Sequence, residues 1–221
     1  MKKLLALTLA CLMLTMCFVA CGTNNDNADN TTTTVGNDNT TTPADTTTAA
    51  PELAYDSAEA LLKHIMDSYN ATAAEETKLY VCGGNPYNFE TVNPEGPAKF
   101  VALEDADYDT HLGYPAADIS KLDDAAYMFN MINVNTFSCY AVHFANSADV
   151  DGMVSTLKDN ILARQWICGT PEKLAIVKAP GDYLIVVWGA VSSGGIVDPF
   201  VAGVTAAVDG AQIVVEQNIV E

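Results

Sequence analysis

The sequence predicts an α+β fold, in which an N-terminal helix is followed by two β-β-α units. Two pairs of apolar segments of strand length lie within residues 126–145 and 174–189, and a short polar turn joins the members of each pair. A segment with apolar residues at helical spacing follows each pair. We therefore expect a largely antiparallel sheet with the helices on one face.

The predicted first helix begins near Asp56, since Asp56 and Glu59 have the spacing of a capping box. Residues 74–114 follow with little periodicity, and they contain turn signals rich in glycine, proline and asparagine. Short strands are predicted at 78–82 and 100–103. A connection of this length in a compact domain is typically functional or contains elements that periodicity misses. The apolar stripe of the first helix comprises Ala58, Leu61, Leu62, Ile65, Met66 and Tyr69.

The first β-β-α unit comprises strands at 126–134 and 137–145, with a tight turn near Asn133 and Asn135. A helix then begins at Ser147 or Asp149, either of which can accept a hydrogen bond from the first helical N–H groups. Its predicted buried stripe comprises Val150, Met153, Val154, Leu157, Ile161, Leu162 and Trp166.

The second unit has strands at 174–178 and 183–189, and Pro180-Gly181 suits the type II turn that would join them. Residues 184–188 are apolar on both faces, which is typical of an interior strand. Asp198 is the predicted N-cap of the last helix, with proline at its first position and Gly210 beyond its end. Residues 212–216 are predicted to form a final edge strand.

Two strand segments carry a resemblance to a known family. Residues 128–135 read Met-Phe-Asn-Met-Ile-Asn-Val-Asn, and residues 181–187 read Gly-Asp-Tyr-Leu-Ile-Val-Val. With the strand and helix between them, they resemble a family of Gram-positive bacterial lipoproteins that is known only as a domain of unknown function. The resemblance covers about residues 118–208. It implies an exported lipoprotein and transfers no catalytic residue.

The N-terminus has the layout of a secretory signal peptide. Lys2 and Lys3 precede a charge-free apolar run, and small residues lead to Cys21. Residues 18–22, Phe-Val-Ala-Cys-Gly, resemble the lipobox of bacterial lipoproteins. This resemblance implies cleavage before Cys21 and a diacylglyceryl group on its sulfur, which would anchor the chain at the extracytoplasmic face of the cell membrane.

The remaining sequence divides at about residue 52. Residues 21–52 are rich in threonine, asparagine and aspartate, so we expect a disordered tether that begins at lipidated Cys21. Residues 53–221 are long enough for one globular domain with a core. The chain has 28 acidic and 10 basic side chains, for a net charge of −18. This charge repels phosphate backbones, so we expect no nucleic-acid partner.

The cysteines and histidines form no sequence motif of a metal or redox site. Beyond the predicted lipid acceptor the domain has Cys82, Cys139 and Cys168, so at most one disulfide can form, and buried free thiols are the favoured alternative. His111 and His143 show no zinc-ligand spacing. We therefore expect no cofactor.

Asp105, Asp107 and Asp109 are the strongest metal candidates, because alternate carboxylates in a loop can bind Ca²⁺. The turn glycine and the bidentate glutamate of an EF-hand are missing, however, with Thr110 and Ala116 at those positions. A solvated acidic loop is therefore the favoured interpretation of this segment.

Aromatic residues in the irregular segment supply the candidate ligand groove. Tyr87, Phe89 and Tyr114 can line a groove for a peptide or a glycan, although packing within the loops is the alternative. The function that we predict is a non-catalytic binding or interaction module at the cell surface, with an unknown envelope protein, peptide or glycan as its partner. The alternatives are an exported hydrolase with a site built by residues 74–114, which a pocket shared by Cys82 and His111 or His143 would favour, and a structural envelope component.

Overall fold

The structure is a computed structural model that describes residues 55–192 and 194–219. The predicted signal peptide at residues 1–20, Cys21 and the predicted tether at residues 21–52 lie outside the described residues. Within the described part, no helix has both the length and the apolar character needed to cross a membrane.

The fold is α+β, as predicted, and its central element is an antiparallel sheet of seven strands. The strand order is β1-β3-β4-β6-β5-β7, with β2 also paired to β3, and each pair is antiparallel. The two predicted hairpins form the four central strands. The strands are β1 (Cys82–Gly83), β2 (Ala98–Lys99), β3 (Leu122–Phe129), β4 (Phe137–Phe144), β5 (Lys173–Ala179), β6 (Tyr183–Gly189) and β7 (Gln212–Asn218).

The helices cover both faces of this sheet, so the prediction of helices on one face is wrong. The helices are α1 (Ala58–Thr72), α2 (Ser147–Leu162) and α3 (Val197–Ala207). Helices α1 and α3 pack on one face, and α2 packs on the other. The reason is that the central strands are apolar at successive positions: Ile185 and Val187 of β6 contribute to the first core, while Val186 and Trp188 contribute to the second.

The helix N-caps differ from the predicted ones by one to three residues. Ser57, rather than Asp56, is the N-cap of α1, where its Oγ accepts a hydrogen bond from the N–H of Ala60 at 3.1 Å. Asn146 caps α2 by accepting from the N–H of Ala148. Asp198 lies inside α3 and pairs with Lys173 of β5 at 2.7 Å, so this carboxylate is not the predicted cap.

Residues 74–114 pack against the β3 edge of the sheet, but with less strand than predicted. Only Cys82 of the predicted strand at 78–82 is extended in the sheet, and β2 ends at Lys99, before the predicted strand at 100–103. Gly83 brings the β1 and β2 backbones together, since a Cβ there would lie 2.2 Å from the Ala98 nitrogen. A π-helical turn at Tyr108–Leu112 completes this segment.

Strand β3 ends at Phe129, five residues before the predicted end, because asparagine side chains turn the backbone there. Asn130 Oδ1 accepts hydrogen bonds from the N–H groups of Ile132 and Asn133, at 2.9 and 3.1 Å. Asn133 Oδ1 in turn accepts from the N–H of Asn135 at 2.9 Å. These local bonds replace the ladder bonds of a strand, so residues 130–136 form a connection at the end of the sheet.

The three cysteines of the described part are free thiols. Cys82 and Cys139 are buried, in agreement with the favoured prediction, and Cys168 is exposed. Burial raises the pKa of the Cys139 thiol well above its usual value, so this thiol stays protonated.

Candidate ligand-binding groove

A groove of about 590 Å³ lies at the end of the sheet where β3, β6 and α2 finish. Tyr127 of β3 and Trp188 of β6 are its buried lining residues from the sheet. Three connections complete it: one after β1, one between β3 and β4, and one after α2. The lining residues from these connections and the adjacent turns include Pro86, Tyr87, Phe89, Asp109, His111, Val134, Asn135, Asn160, Arg164, Gln165, Trp166 and Ile167.

Arg164 follows the end of α2 and lies against two tryptophans. Its Cζ atom is 5.0 Å from the ring centroid of Trp166 and 5.4 Å from that of Trp188. Its Nη2 donates to the carbonyl oxygen of Asp109 at 3.2 Å. Burial lowers the pKa of the guanidinium, while Tyr127 and other groups act in the opposite direction. The side chain keeps its positive charge, since an arginine pKa begins above 12, and it places that charge in the groove wall.

The segment after Arg164 is held in place by Asn135. The Nδ2 of Asn135 donates to the carbonyl oxygens of Ile167 and Gly169, both at 2.6 Å. Between these two residues, Cys168 has a φ of 65°, a left-handed conformation that costs energy for a residue with a side chain. The hydrogen bonds of Asn135 thus stabilise a strained turn that forms one wall of the groove.

His111 and Tyr87 also line the groove and pack against each other. Their ring centroids are 4.7 Å apart, and His111 is only 9% exposed, whereas Tyr87 is 65% exposed. Burial lowers the pKa of His111 from its usual 6.5, and Arg164 acts in the same direction, while the Asp107 carboxylate opposes them. His111 is therefore neutral at neutral pH.

Two of the three predicted groove residues line the groove, and one does not. Tyr87 and Phe89 are exposed lining residues, and Phe89 is 82% exposed. Tyr114 is fully buried and donates from its hydroxyl to the carbonyl oxygen of Asp118 at 3.2 Å. For Tyr114, the alternative prediction of packing within the protein is therefore the correct one. Gly113 turns the chain with a φ of 68°, and Tyr114 packs against Phe144 in the second core.

Several polar atoms in the groove walls have no hydrogen-bond partner among the described residues. They are Nε1 of Trp166, Nε1 of Trp188 and Nε2 of His111. Tyr140 OH is also unpartnered, but Tyr140 belongs to the second core and does not line the groove. Indole nitrogens can only donate, and buried polar groups in proteins are nearly always hydrogen-bonded. The two indole N–H groups are therefore donors without a partner in the described part of the chain, each buried in the groove wall, and Nε2 of the neutral His111 can donate or accept, depending on its tautomer.

The structure does not bring the predicted calcium ligands together. Asp107 Oδ2 accepts from the N–H of Leu103 at 2.7 Å and from Asn85 Nδ2 at 2.8 Å. Burial acts to raise the pKa of Asp107, but these hydrogen bonds outweigh it and the pKa is lowered. Asp105 and Asp109 form no metal-binding group with Asp107, and none occurs elsewhere among the described residues. The Asp107 carboxylate instead stabilises the turn.

A second groove, of about 520 Å³, lies beside the start of α1 and includes His143. His143 Nδ1 pairs with the Asp123 carboxylate. The neighbouring Asp124 accepts the N–H of Ala58 at 2.8 Å, while Ser57 caps α1. These side chains fix the helix start to β3. Cys82 lines neither groove, and its thiol faces the carbonyl oxygen of Pro94.

Sequence reasoning missed most of the residues that define the first groove. Arg164 is the only arginine in the chain, and Trp166 and Trp188 are its only tryptophans. The low number of arginine and tryptophan residues could have singled these three out as site candidates. Their proximity, however, depends on the fold, because they come from separate parts of the chain. Trp166 had been predicted only as part of a buried helix stripe, whereas α2 ends at Leu162.

Comparison of the chain with protein-family models, with curated proteins and with solved structures gives no match. The resemblance of residues 118–208 to a family of Gram-positive lipoproteins therefore stays a prediction.

Proposed function

We propose that this chain is a lipid-anchored, extracytoplasmic binding protein whose ligand occupies the groove beside Arg164. The observation that carries the proposal is one concave site of about 590 Å³ that combines the exposed aromatic side chains of Tyr87 and Phe89 with the Arg164 guanidinium and unpartnered polar atoms buried in its walls. Ligand sites are typically clefts of this size, with apolar walls and a few polar groups that orient the ligand.

The location is proposed from the sequence. The apolar run ending in Cys21 favours export and lipid attachment, and the threonine-rich residues 21–52 favour a tether that holds the domain away from the membrane. The partners that fit this location are a peptide, an envelope protein or a glycan. The net charge of −18 argues against nucleic acid.

A non-catalytic role is favoured over an exported hydrolase. The hydrolase alternative predicted that Cys82 would share a pocket with His111 or His143, but Cys82 contributes to neither groove. Binding requires only the complementary surface that the groove offers. A purely structural envelope component is disfavoured, because such a role does not explain a concave site with exposed aromatic side chains and unpartnered polar atoms in its walls.

A retention experiment tests this proposal. The full chain, purified in detergent and immobilised, is incubated with peptide and glycan fractions from digested bacterial envelope. We expect one fraction to be retained by the wild type and lost, by about tenfold or more, from a Tyr87→Ala/Phe89→Ala double variant. Tyr80→Ala is the matched control, because Tyr80 is an exposed aromatic outside the groove lining. Equal retention by the double variant and the wild type contradicts the proposal.

A further inference from the structure

Among the residues that the structure describes, Arg164 differs from the lysines in having no acidic partner. Each lysine that the structure describes has a carboxylate oxygen within 3.4 Å. Arg164 has none among the described residues, although the chain carries 28 acidic side chains. The Arg164 guanidinium is half-buried against two indole rings, so it is partly removed from water. Desolvation of a charge costs free energy, and a bound counter-ion would offset this desolvation free energy.

The groove around Arg164 can accept such a counter-ion. A guanidinium has five N–H donors in a planar fork, and only the bond from Nη2 to the Asp109 carbonyl is made within the described residues. The indole nitrogen of Trp188, a residue only 1% exposed, is also unpartnered. Arginine binds carboxylates in a bidentate geometry that matches its fork. The missing group is therefore an acceptor with negative charge.

The charge of the whole chain restricts what can deliver that acceptor. A net charge of −18 repels free anions, so the ligand needs further contacts to stay bound. Next to Arg164 the groove presents the exposed apolar side chains of Phe89 and Ile167, which are 82% and 81% exposed. An exposed aliphatic residue such as Ile167 suits an apolar side chain better than the hydroxyl-covered surface of a sugar.

We propose that the groove binds a peptide whose carboxylate pairs with Arg164 and whose apolar side chain packs against Phe89 and Ile167. This inference rests on the proposed binding function and names its ligand class. The carboxylate can come from the C-terminus of the peptide or from a glutamate side chain, and both sources have the same chemistry.

Tryptophan fluorescence of the full chain in detergent is a direct readout, because both tryptophans of the protein line the groove. Three peptide probes are titrated: N-acetyl-Ala-Phe with a free C-terminal carboxylate, the same dipeptide as the C-terminal amide, and N-acetyl-Glu-Phe-amide. Glucuronic acid, an acidic sugar, is titrated in parallel as a fourth probe. We expect at least one of the two acids to bind about tenfold or more tightly than the uncharged amide, and the stronger of the two identifies the source of the carboxylate.

Arg164→Gln provides the second arm, since it removes the charge and keeps a hydrogen-bonding side chain. It should weaken binding of the preferred acid to the level of the amide. Lys158→Gln is the matched control, because it removes one positive charge from α2 outside the groove and should leave binding unchanged. The comparison of acid with amide uses the wild type alone, so it holds even if Arg164→Gln does not fold.

Three results overturn the inference. Equal binding of the acids and the amide removes the role of the carboxylate, and binding of glucuronic acid without any peptide binding replaces the peptide by an acidic sugar. Both of these results still show a ligand bound in the groove, so they reject the peptide carboxylate but not the proposed binding function. No response to any of the four probes from a folded chain also rejects the peptide ligand, and the retention experiment then decides separately whether the groove binds another ligand.

Discussion

Asn135 donates a hydrogen bond of 2.6 Å to the carbonyl oxygen of Ile167, across 32 positions of sequence. A second bond of the same length reaches Gly169. The connection between β3 and β4 is thereby joined to the segment that follows α2, and the groove lies between these parts and the β1 connection. The shape of the groove depends on a side chain that is itself 92% buried, since Asn135 is 8% exposed.

Replacing Asn135 by alanine should destabilise the domain and weaken ligand binding together. Two hydrogen bonds from a buried side chain would be lost, and each typically contributes about 0.5–1.5 kcal/mol to the free energy of unfolding. Urea denaturation of the full chain measures this change. Asn88→Ala is the control, because Asn88 Nδ2 makes one hydrogen bond at the surface, to the carbonyl oxygen of Val101, and should cost about 1 kcal/mol or less. If Asn135→Ala loses no more stability than Asn88→Ala, the hydrogen bonds of Asn135 do not stabilise the groove as described.

Two glycine-to-alanine substitutions should change stability in opposite directions. At Gly83 a Cβ would lie 2.2 Å from the Ala98 nitrogen and 2.4 Å from the Gly96 oxygen, so overpacking of backbone should cost about 1–3 kcal/mol or more. At Gly152, inside α2, no atom lies within 4 Å of the new Cβ, and alanine should stabilise the helix by about 0.5–1 kcal/mol. Thermal unfolding of both variants is the measurement. If Gly83→Ala leaves the unfolding temperature unchanged, the β1 and β2 backbones do not approach each other as closely at Gly83 as the structure shows.

The sequence predicted the four central strands because alternating and continuous apolar runs identify strands locally. Residues 183–189 are a strand with the predicted bounds, and residues 174–178 extend by one residue at each end. The side of the sheet on which each helix packs was not predictable in this way, since strands that are apolar on both faces accept a helix on either face.

The candidate site was predictable only in part, for a related reason. Tyr87 and Phe89 were selected because aromatic residues are conspicuous in an irregular segment. Arg164, Trp166 and Trp188 reach the same groove from a helix end and from β6. Their proximity depends on strand order and on the left-handed turn at Cys168. Neither feature leaves a local pattern in the sequence.

The free energy of unfolding should fall as the pH drops below 6.5, in part because of His111. Burial and the nearby Arg164 lower the pKa of this imidazole, against the opposing effect of Asp107. The unfolded chain therefore binds a proton at His111 before the folded chain does, and the stabilising contribution that is present above pH 6.5 is lost as the pH falls. Urea denaturation at a series of pH values measures this loss.

His111→Phe should show a smaller loss of stability with acid than the wild type, since phenylalanine does not titrate. Phe89→Leu, which changes an exposed and non-titrating residue of the same groove, is the control and should retain the wild-type dependence. The comparison is kept above the range in which carboxylates titrate, so that Asp107 does not contribute. If the unfolding free energies of His111→Phe and the wild type fall in parallel with decreasing pH, His111 is not a source of the acid-induced loss of stability.

Cys21→Ala should move the protein from the membrane fraction to the soluble fraction of the producing bacterium, because the proposed acyl chains provide the anchor. Cell fractionation followed by immunoblotting measures the distribution, and mass spectrometry of the wild-type N-terminus detects the acyl groups. Cys168→Ala is the matched control, since it removes an exposed thiol of the folded domain and should stay in the membrane fraction. A processed Cys21→Ala protein that remains in the membrane fraction contradicts the anchor.

The central claim is that ligand binds in the groove between Arg164, Trp166 and Trp188. Proton–nitrogen correlation NMR of the full chain tests it directly, because the two indole N–H signals of the protein both come from groove residues. On titration with the envelope fraction that the protein retains, we expect both indole signals to shift in a saturable manner. If both stay in place while signals from other parts of the domain shift, the ligand binds elsewhere and the account is contradicted.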